Sequence, residues 1–293
     1  MTKETMRFSL IGPGRLGQAV ARRLREAGHE IEAVIGRDLG RAAEAARFIG
    51  SSGRETTDLG AVGGSDLVLL AVPDDALAEV AGCLLNEKRL RVDTVLVHFS
   101  GIHCADILLD QAGPAEAGVL SIHPLQTFAD PQRGYEALPG TPCAIEGHPH
   151  LMDLAGRIVD ALGGIPFHLS SDHKTLYHAA ACITSNYLVT LVATAEKLLA
   201  GCGFSGEEAR RLLGPLLQTT ARNVAEVGPA EALTGPIARG DTQTVDKHLQ
   251  ALQSLAPEQE GLYSLLGRLT IEVGLEKGTL SDKAAQALRK RFD

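Results

Sequence analysis

The chain has 293 residues, 44% of them hydrophobic and 22% charged, with a net charge of −8. That balance is that of a soluble globular protein long enough for two cores. The negative charge, with no Lys/Arg block, argues against a nucleic-acid partner. The five cysteines are scattered without a CxxC pair, which leaves neither a disulfide framework nor metal-ligand spacing.

Met1-Thr2-Lys3-Glu4-Thr5 leads directly into an apolar run, with none of the pattern of an export signal, so a cytoplasmic protein with reduced thiols is expected. The run Phe8-Ser9-Leu10-Ile11 ends in Gly12-Pro13-Gly14-Arg15-Leu16-Gly17. Leu16, Val20 and Leu24 then recur at helical spacing up to Gly28. A Gly-x-Gly-x-x-Gly turn between strand and helix predicts dinucleotide binding. Gly12 permits the tight turn, Gly14 lets a pyrophosphate approach the backbone, and Gly17 lets helix and strand pack closely. The free N–H groups and positive dipole end of the helix hold the phosphates.

Residues 31–35 read as the second strand, ending at Gly36-Arg37-Asp38. An acidic side chain there would bond a ribose 2′-hydroxyl, whereas Arg37 suits a 2′-phosphate. Asp38 comes one residue late, so NADP is favoured and NAD stays possible. Residues 67–72 and 94–99 are continuous apolar runs, the mark of parallel strands covered on both faces. Ligands bind at the ends of such strands, so Ala71, Val72, Pro73 and Asp74, and the stretch from His98 through Ser100 to Gly101, are expected to face cofactor or substrate. His123 stands at the end of the next strand, before Pro124. Residues 143–146 and 165–169 read as further strands around a helix at 151–162.

The alternation stops near Ser170. The expected fold is therefore a doubly wound α/β domain over residues 1–168 and an all-helical domain over 169–293. Helices are predicted at 174–199, at 207–227 with a kink at Gly214-Pro215, at 242–252, at 258–276 and at 281–291. Residues 175–195 carry no Asp, Glu, Lys or Arg. Their hydroxyl and amide side chains are too many for a bilayer span, so a buried central helix and no membrane contact are expected.

Ala71-Val72-Pro73-Asp74-Asp75, His98-Phe99-Ser100-Gly101, His123-Pro124-Leu125-Gln126-Thr127-Phe128, Tyr177-His178-Ala179-Ala180-Ala181 with Ser185-Asn186, and the stretch from Leu233 to Asp241 stand in a familiar order. With the GPGRLG turn they resemble the Rossmann-like proteins that carry the domain of unknown function DUF2520. That family is similar to the 6-phosphogluconate dehydrogenase-like group, which includes hydroxyacid dehydrogenases, ketopantoate reductase and the NADP reductase that uses coenzyme F420. The resemblance implies NAD(P)-linked redox chemistry and a helical C-terminal domain often used for homodimerisation. It does not imply a substrate. Hydroxyacid dehydrogenases place a Lys-x-x-x-Asn pair on the first long helix after the Rossmann domain. Asn186 could be that Asn, but the position four earlier is Cys182.

Hydride transfer to a carbonyl or imine needs a proton donor for the heteroatom. His178 is one candidate, sharing a helix face with Lys174 and Ser185, with Asn186 on its flank. About 16 Å of helix axis separates Lys174 from Ser185 at 1.5 Å per residue, so Lys174 could contribute only by reach. His123 is the second candidate, in a segment resembling the His-Pro of prephenate dehydrogenases. Ser100 could bond a substrate carbonyl or the nicotinamide amide, or cap the following turn. Arg239 could bind a carboxylate in bidentate fashion, with Asp241 beside it either at the site or acting as an N-cap. The sequence thus points to an NADP-dependent oxidoreductase acting on a small, anionic carbonyl or imine compound at a cleft between domains. His123 and the Lys174/His178/Asn186 helix would face that cleft from opposite sides. An F420-dependent NADP reductase and a non-catalytic NADP-binding sensor are the rival readings.

Overall fold

A computed structural model describes residues 5–110 and 117–293. The chain divides into two compact units, Met1–Ser185 and Asn186–Asp293.

The first unit is built on one eight-stranded sheet. In chain order it runs β1 (Arg7–Ile11), α1 (Arg15–Glu26), β2 (Glu30–Ile35), α2 (Leu39–Ile49), β3 (Glu55–Thr56), β4 (Leu67–Leu70), α3 (Leu77–Asn86), β5 (Val95–His98), β6 (Gly118–Pro124), α4 (Pro131–Ala137), β7 (Pro142–Gly147), α5 (Met152–Leu162), β8 (Ile165–His168) and α6 (Lys174–Thr184). The strand order is β3-β2-β1-β4-β5-β6-β7-β8, parallel throughout except between β6 and β7. The order reverses between β1 and β4, the switch point where open α/β sheets bind ligands.

Alternation along the strands feeds two apolar layers. Leu67 and Leu69 join Phe8, Leu10, Val20 and Leu24 on one face, while Val68 and Leu70 join Ile11, Leu84 and Leu96 on the other. Every residue of β4 and β5 is buried, which explains why their sequences are uninterrupted apolar runs.

The sheet ends at His168, but the compact unit continues to Ser185, because the Lys174 side chain ties α6 to the strands. The expected helix over 174–199 is divided at Ser185 (φ −104, ψ −67), where the second unit begins.

The second unit contains α7 (Asn186–Gly201), α8 (Gly206–Ala232), α9 (Thr242–Leu255), α10 (Glu260–Glu276) and α11 (Asp282–Phe292). Val245, Leu249, Ile271, Leu280, Leu288 and Phe292 form its core. Ser205 and Glu208 close a capping box at the start of α8. Helical geometry passes through Gly214-Pro215, where a kink was expected. The backbone breaks instead at Gly228 (φ 81, ψ 166), directly before Pro229, as the clash of a proline ring with the preceding residue dictates.

One expectation fails outright. No residue between 175 and 195 is buried, and Leu176, Ile183, Tyr187 and Val189 are all more than half exposed. The expectation of burial rests on apolarity, and apolarity does not say which surface covers a helix. The stretch Ser171–Gly201 is long and apolar enough, by length and composition, to cross a membrane.

Candidate active site

The glycine turn is fixed by contacts at its two outer positions and left open at its centre. Gly12 has φ +82, and a Cβ there would lie 2.7 Å from the Ala71 carbonyl oxygen and 2.8 Å from Val72. A Cβ at Gly17 would lie 2.8 Å from the Gly12 carbonyl and 2.9 Å from the Ala71 side chain. At Gly14 a Cβ would meet nothing within 4 Å. Gly14 is also the N-cap of α1 and offers no capping side chain. The first-turn N–H groups, beginning at exposed Arg15 and half-buried Leu16, therefore face open space with the dipole behind them. The Gln18 side chain holds the Pro13 carbonyl at 2.9 Å. An open helix N-terminus of this kind could hold an anionic group.

At the end of β2 the two charged neighbours part company. Asp38 caps α2, its carboxylate accepting the Arg41 N–H at 2.8 Å. Arg37 is exposed beside it. Beyond β4, Ala71 and Val72 are half-buried against the glycine turn and Pro73 is exposed.

At the ends of β5 and β6 the roles separate further. His98 is fully buried. Its Nε2 pairs with the Cys104 carbonyl at 3.1 Å and its Nδ1 accepts the Ser100 N–H at 3.1 Å. Burial, with Lys174 nearby, pushes its pKa down to about 3, so it is a neutral loop anchor with both ring nitrogens engaged within the protein. Ser100 is buried, and its hydroxyl accepts the N–H groups of Ile102 and His103 at 3.2 and 3.1 Å, the capping role rather than an open substrate contact.

Gly101 is the meeting point. A Cβ there would lie 2.5 Å from Cδ2 of His178 and 2.8 Å from Nε2 of His123. The two imidazoles approach because this residue has no side chain, and their centroids are 6.1 Å apart, nearly edge to face. His123 Nδ1 pairs with the Tyr177 hydroxyl at 2.9 Å. Burial first, then the charges of His178 and Lys174, lower His123 to a pKa of about 4. Burial raises the Tyr177 phenol to about 12. His178 Nδ1 lies 3.8 Å from the Cys182 thiol one turn on. His123 and His178 thus come together as expected, but within one compact unit rather than from opposite domains.

Lys174 has a different task from the one its helix face suggested. It is 1% exposed. Its ammonium bonds the Ser121 hydroxyl and the His103 carbonyl, and lies 3.7 Å from Glu146 Oε2. Glu146 also accepts the Ala105 N–H at 2.7 Å and the Ser171 hydroxyl at 3.0 Å. Burial lowers the Lys174 pKa, with Glu146 opposing the shift. Two hydrogen bonds and an ion pair, all to groups of the same unit, tie Lys174 to the sheet, so it anchors α6. Sequence reasoning assigned no role to Tyr177 or Glu146. A glutamate inside an apolar strand was the available signal for a buried cation.

In the second unit, Asp241 is the N-cap of α9, accepting the Thr244 N–H at 3.0 Å and its hydroxyl at 2.7 Å, the plainer of its two expected roles. Arg239 is exposed on the preceding turn, Ser185 is half-buried at the end of α6, and Asn186 is exposed at the start of α7.

Residues 1–124 match the family model of a Rossmann-like domain, and residues 141–270 match that of DUF2520, a domain of unknown function. No curated protein matches the chain. Among solved structures it is similar to a provisionally assigned NADP oxidoreductase from Bacteroides fragilis, with 27% identity, TM-score 0.75, and coverage of 92% of this chain and 99% of that one. It is also similar to a protein from Thermotoga maritima, with 25% identity, TM-score 0.72 and the same coverage. A pyrroline-5-carboxylate reductase from Coxiella burnetii shares the fold at 16% identity, TM-score 0.60, and coverage of 98% and 99%. The glycine cradle, the sheet order and the two family matches together make this chain a Rossmann-like protein with a DUF2520 domain.

Proposed function

We propose that this protein is an NADP-dependent oxidoreductase that moves a hydride to or from a small carbonyl or imine compound. One observation carries the reading: the open Gly14 cradle and the His123/His178 pair at Gly101 lie along the same C-terminal edge of the parallel sheet, at the ends of neighbouring strands β1, β4, β5 and β6. Adjacent strands are about 4.8 Å apart, so roughly 10 Å separates the end of β1 from the end of β5. A dinucleotide with its pyrophosphate over Gly14 spans that gap. The resemblance to a provisionally assigned NADP oxidoreductase supports the same reading.

The cofactor supplies the hydride when bound. The N–H groups of the first turn of α1 would hold its phosphates, and the Arg37 guanidinium would pair with the 2′-phosphate that distinguishes NADP from NAD. His123, held neutral, polarises the substrate heteroatom through an N–H hydrogen bond and has no second proton to give at neutral pH. The proton is therefore assigned to His178, half-buried across Gly101 from it.

The exposed apolar residues of α6 and α7 fit contact with a second copy of the chain better than contact with a bilayer. A span over Ser171–Gly201 would have to take α6 into lipid, and Lys174, Tyr177 and His178 hold that helix on the sheet. A cytoplasmic homodimer acting on a small molecule is the corresponding proposal.

Fluorescence titration with NADPH and NADH tests the cofactor assignment. Arg37→Ala should weaken NADPH by ~10- to 100-fold, the worth of one charge-assisted hydrogen bond, and leave NADH unchanged. Equal affinity of the wild type for both cofactors sinks the NADP assignment. NADPH oxidation is then screened with oxo acids and imines. Turnover only with F420 selects the deazaflavin-dependent rival, and tight binding without turnover selects the sensor.

A further inference from the structure

Tyr177 is absent from the chemistry above, yet its hydroxyl is the hydrogen-bond partner of the His123 ring among the described residues. The Tyr177 hydroxyl lies 2.9 Å from Nδ1, and the two rings meet edge to face with centroids 5.5 Å apart. Phe167 of β8 also packs against the tyrosine ring, with centroids 6.0 Å apart and the planes at 64°. The hydroxyl is thus aimed at the imidazole by packing from the sheet and by its position on α6.

We propose that Tyr177 is a positioning residue that sets the tautomer of His123, donating its O–H to Nδ1 so that the proton of the neutral ring sits on Nε2, the nitrogen next to Gly101. Two arrangements satisfy a hydroxyl–imidazole pair: O–H to Nδ1, or Nδ1–H to the oxygen. The first is favoured chemically. A phenol is a good donor and a weak acceptor, because its oxygen lone pair is delocalised into the ring, whereas an unprotonated imidazole nitrogen is a strong acceptor. The environment agrees. The phenol is held well above its ordinary pKa and keeps its proton, and the imidazole is held well below its ordinary pKa and stays neutral with one bare nitrogen. With Nδ1 occupied, the only N–H of His123 is at Nε2, beside the bare Cα of Gly101 and the edge of His178. Reversal of the pair would leave a lone pair at that position, which repels the developing negative charge of a carbonyl oxygen. The functional importance of Tyr177 rests on the proposed reaction, but its effect on the tautomer does not.

The test is nitrogen NMR of the full chain labelled with 15N-histidine, with His123 assigned by loss of its signals in His123→Gln. At neutral pH and without cofactor, the wild type should show a protonated Nε2 and an unprotonated Nδ1 at the shift of a hydrogen-bonded lone pair. In Tyr177→Phe, Nδ1 should move to the shift of a lone pair without a donor, while the His98 signals stay in place as a report that the fold is intact. A wild-type His123 protonated on Nδ1 overturns the proposal without recourse to any variant. An unmoved Nδ1 resonance in a folded Tyr177→Phe protein also overturns it. Titrating NADPH into the same wild-type sample tests the oxidoreductase reading separately, so failure of one is not read as failure of the other.

Discussion

Replacing Lys174 with Met removes one member of a buried charged pair and keeps most of the side-chain volume. The ammonium is 1% exposed, bonded to the Ser121 hydroxyl and the His103 carbonyl, and 3.7 Å from Glu146. Breaking a buried ion pair by deleting one partner costs ~3–5 kcal/mol, because the other charge is left without compensation. Glu146 keeps the Ala105 N–H and the Ser171 hydroxyl, so the cost should sit near the lower end, about 3 kcal/mol. In a unit of this size each kcal/mol moves Tm by ~2–4 °C, which gives a fall of ~6–12 °C. Urea unfolding measures the loss, and NADPH titration should show none, since the Gly14 cradle is untouched. Glu146→Gln alone should also destabilise, by leaving the ammonium short of a counter-charge. The double variant should cost less than the sum of the singles by ~1–3 kcal/mol. A loss under ~1 kcal/mol, or strictly additive variants, would show that the pair does not hold α6 to the sheet.

Acid should destabilise the fold through its neutral histidines. His123 and His98 have folded pKa values of about 4 and about 3, against about 6.5 when unfolded. Their contribution is therefore complete above about pH 6.5 and is lost as pH falls toward about 4 and then about 3. Among the described residues, His178, Tyr177 and Lys174 on α6 and His98 on β5 are titratable groups that act on or touch His123, and His123→Gln should flatten the slope of stability against pH between 6.5 and 4. An unchanged slope refutes the assignment. Gly14→Ala should fold like the wild type, because its Cβ meets nothing, and should weaken NADPH; Gly12→Ala should instead lower Tm, with its Cβ 2.7 Å from a carbonyl at φ +82. Normal NADPH affinity in a folded Gly14→Ala protein counts against the cradle. Sedimentation should show a dimer at micromolar concentration that Val189→Glu dissociates, and a wild-type monomer would rule out the second-copy reading of that exposed residue.

What the sequence revealed, and what it concealed, follows the range of the interactions involved. The glycine turn was legible because its constraints act over a few residues: a strand end, a positive φ and a helix start. Strands β4 and β5 were legible because burial on both faces leaves an unbroken apolar run. The two-residue β3 is too short to carry a period. The antiparallel turn of the sheet at β7 leaves no local mark, since a strand's own pattern is the same in either direction. The candidate site shows the same division. His123 and His178 were identified singly, but their meeting across Gly101 depends on contacts between residues 55 apart in sequence, which no spacing rule encodes.

Lys174 shows most clearly why helix geometry alone misassigns a residue. On α6 it lies one turn before His178, and a helical wheel gives both the same direction. Direction around an axis does not fix what stands opposite at each level. At the level of His178 the opposing residue is Gly101, which has no side chain, and space for a second imidazole remains. At the level of Lys174 the opposing groups are a strand hydroxyl, a loop carbonyl and a glutamate on β7, and the ammonium is buried against them. The same face therefore carries an anchor at one turn and the proposed proton donor at the next. The separation has an electrostatic consequence. The Lys174 charge, kept close but sealed from solvent, is one of the influences that lower the pKa of His123, so the anchor of α6 also helps keep its neighbouring imidazole neutral. Fold stability and the protonation state of His123 are coupled through this buried cation, which is why a variant at Lys174 should alter both.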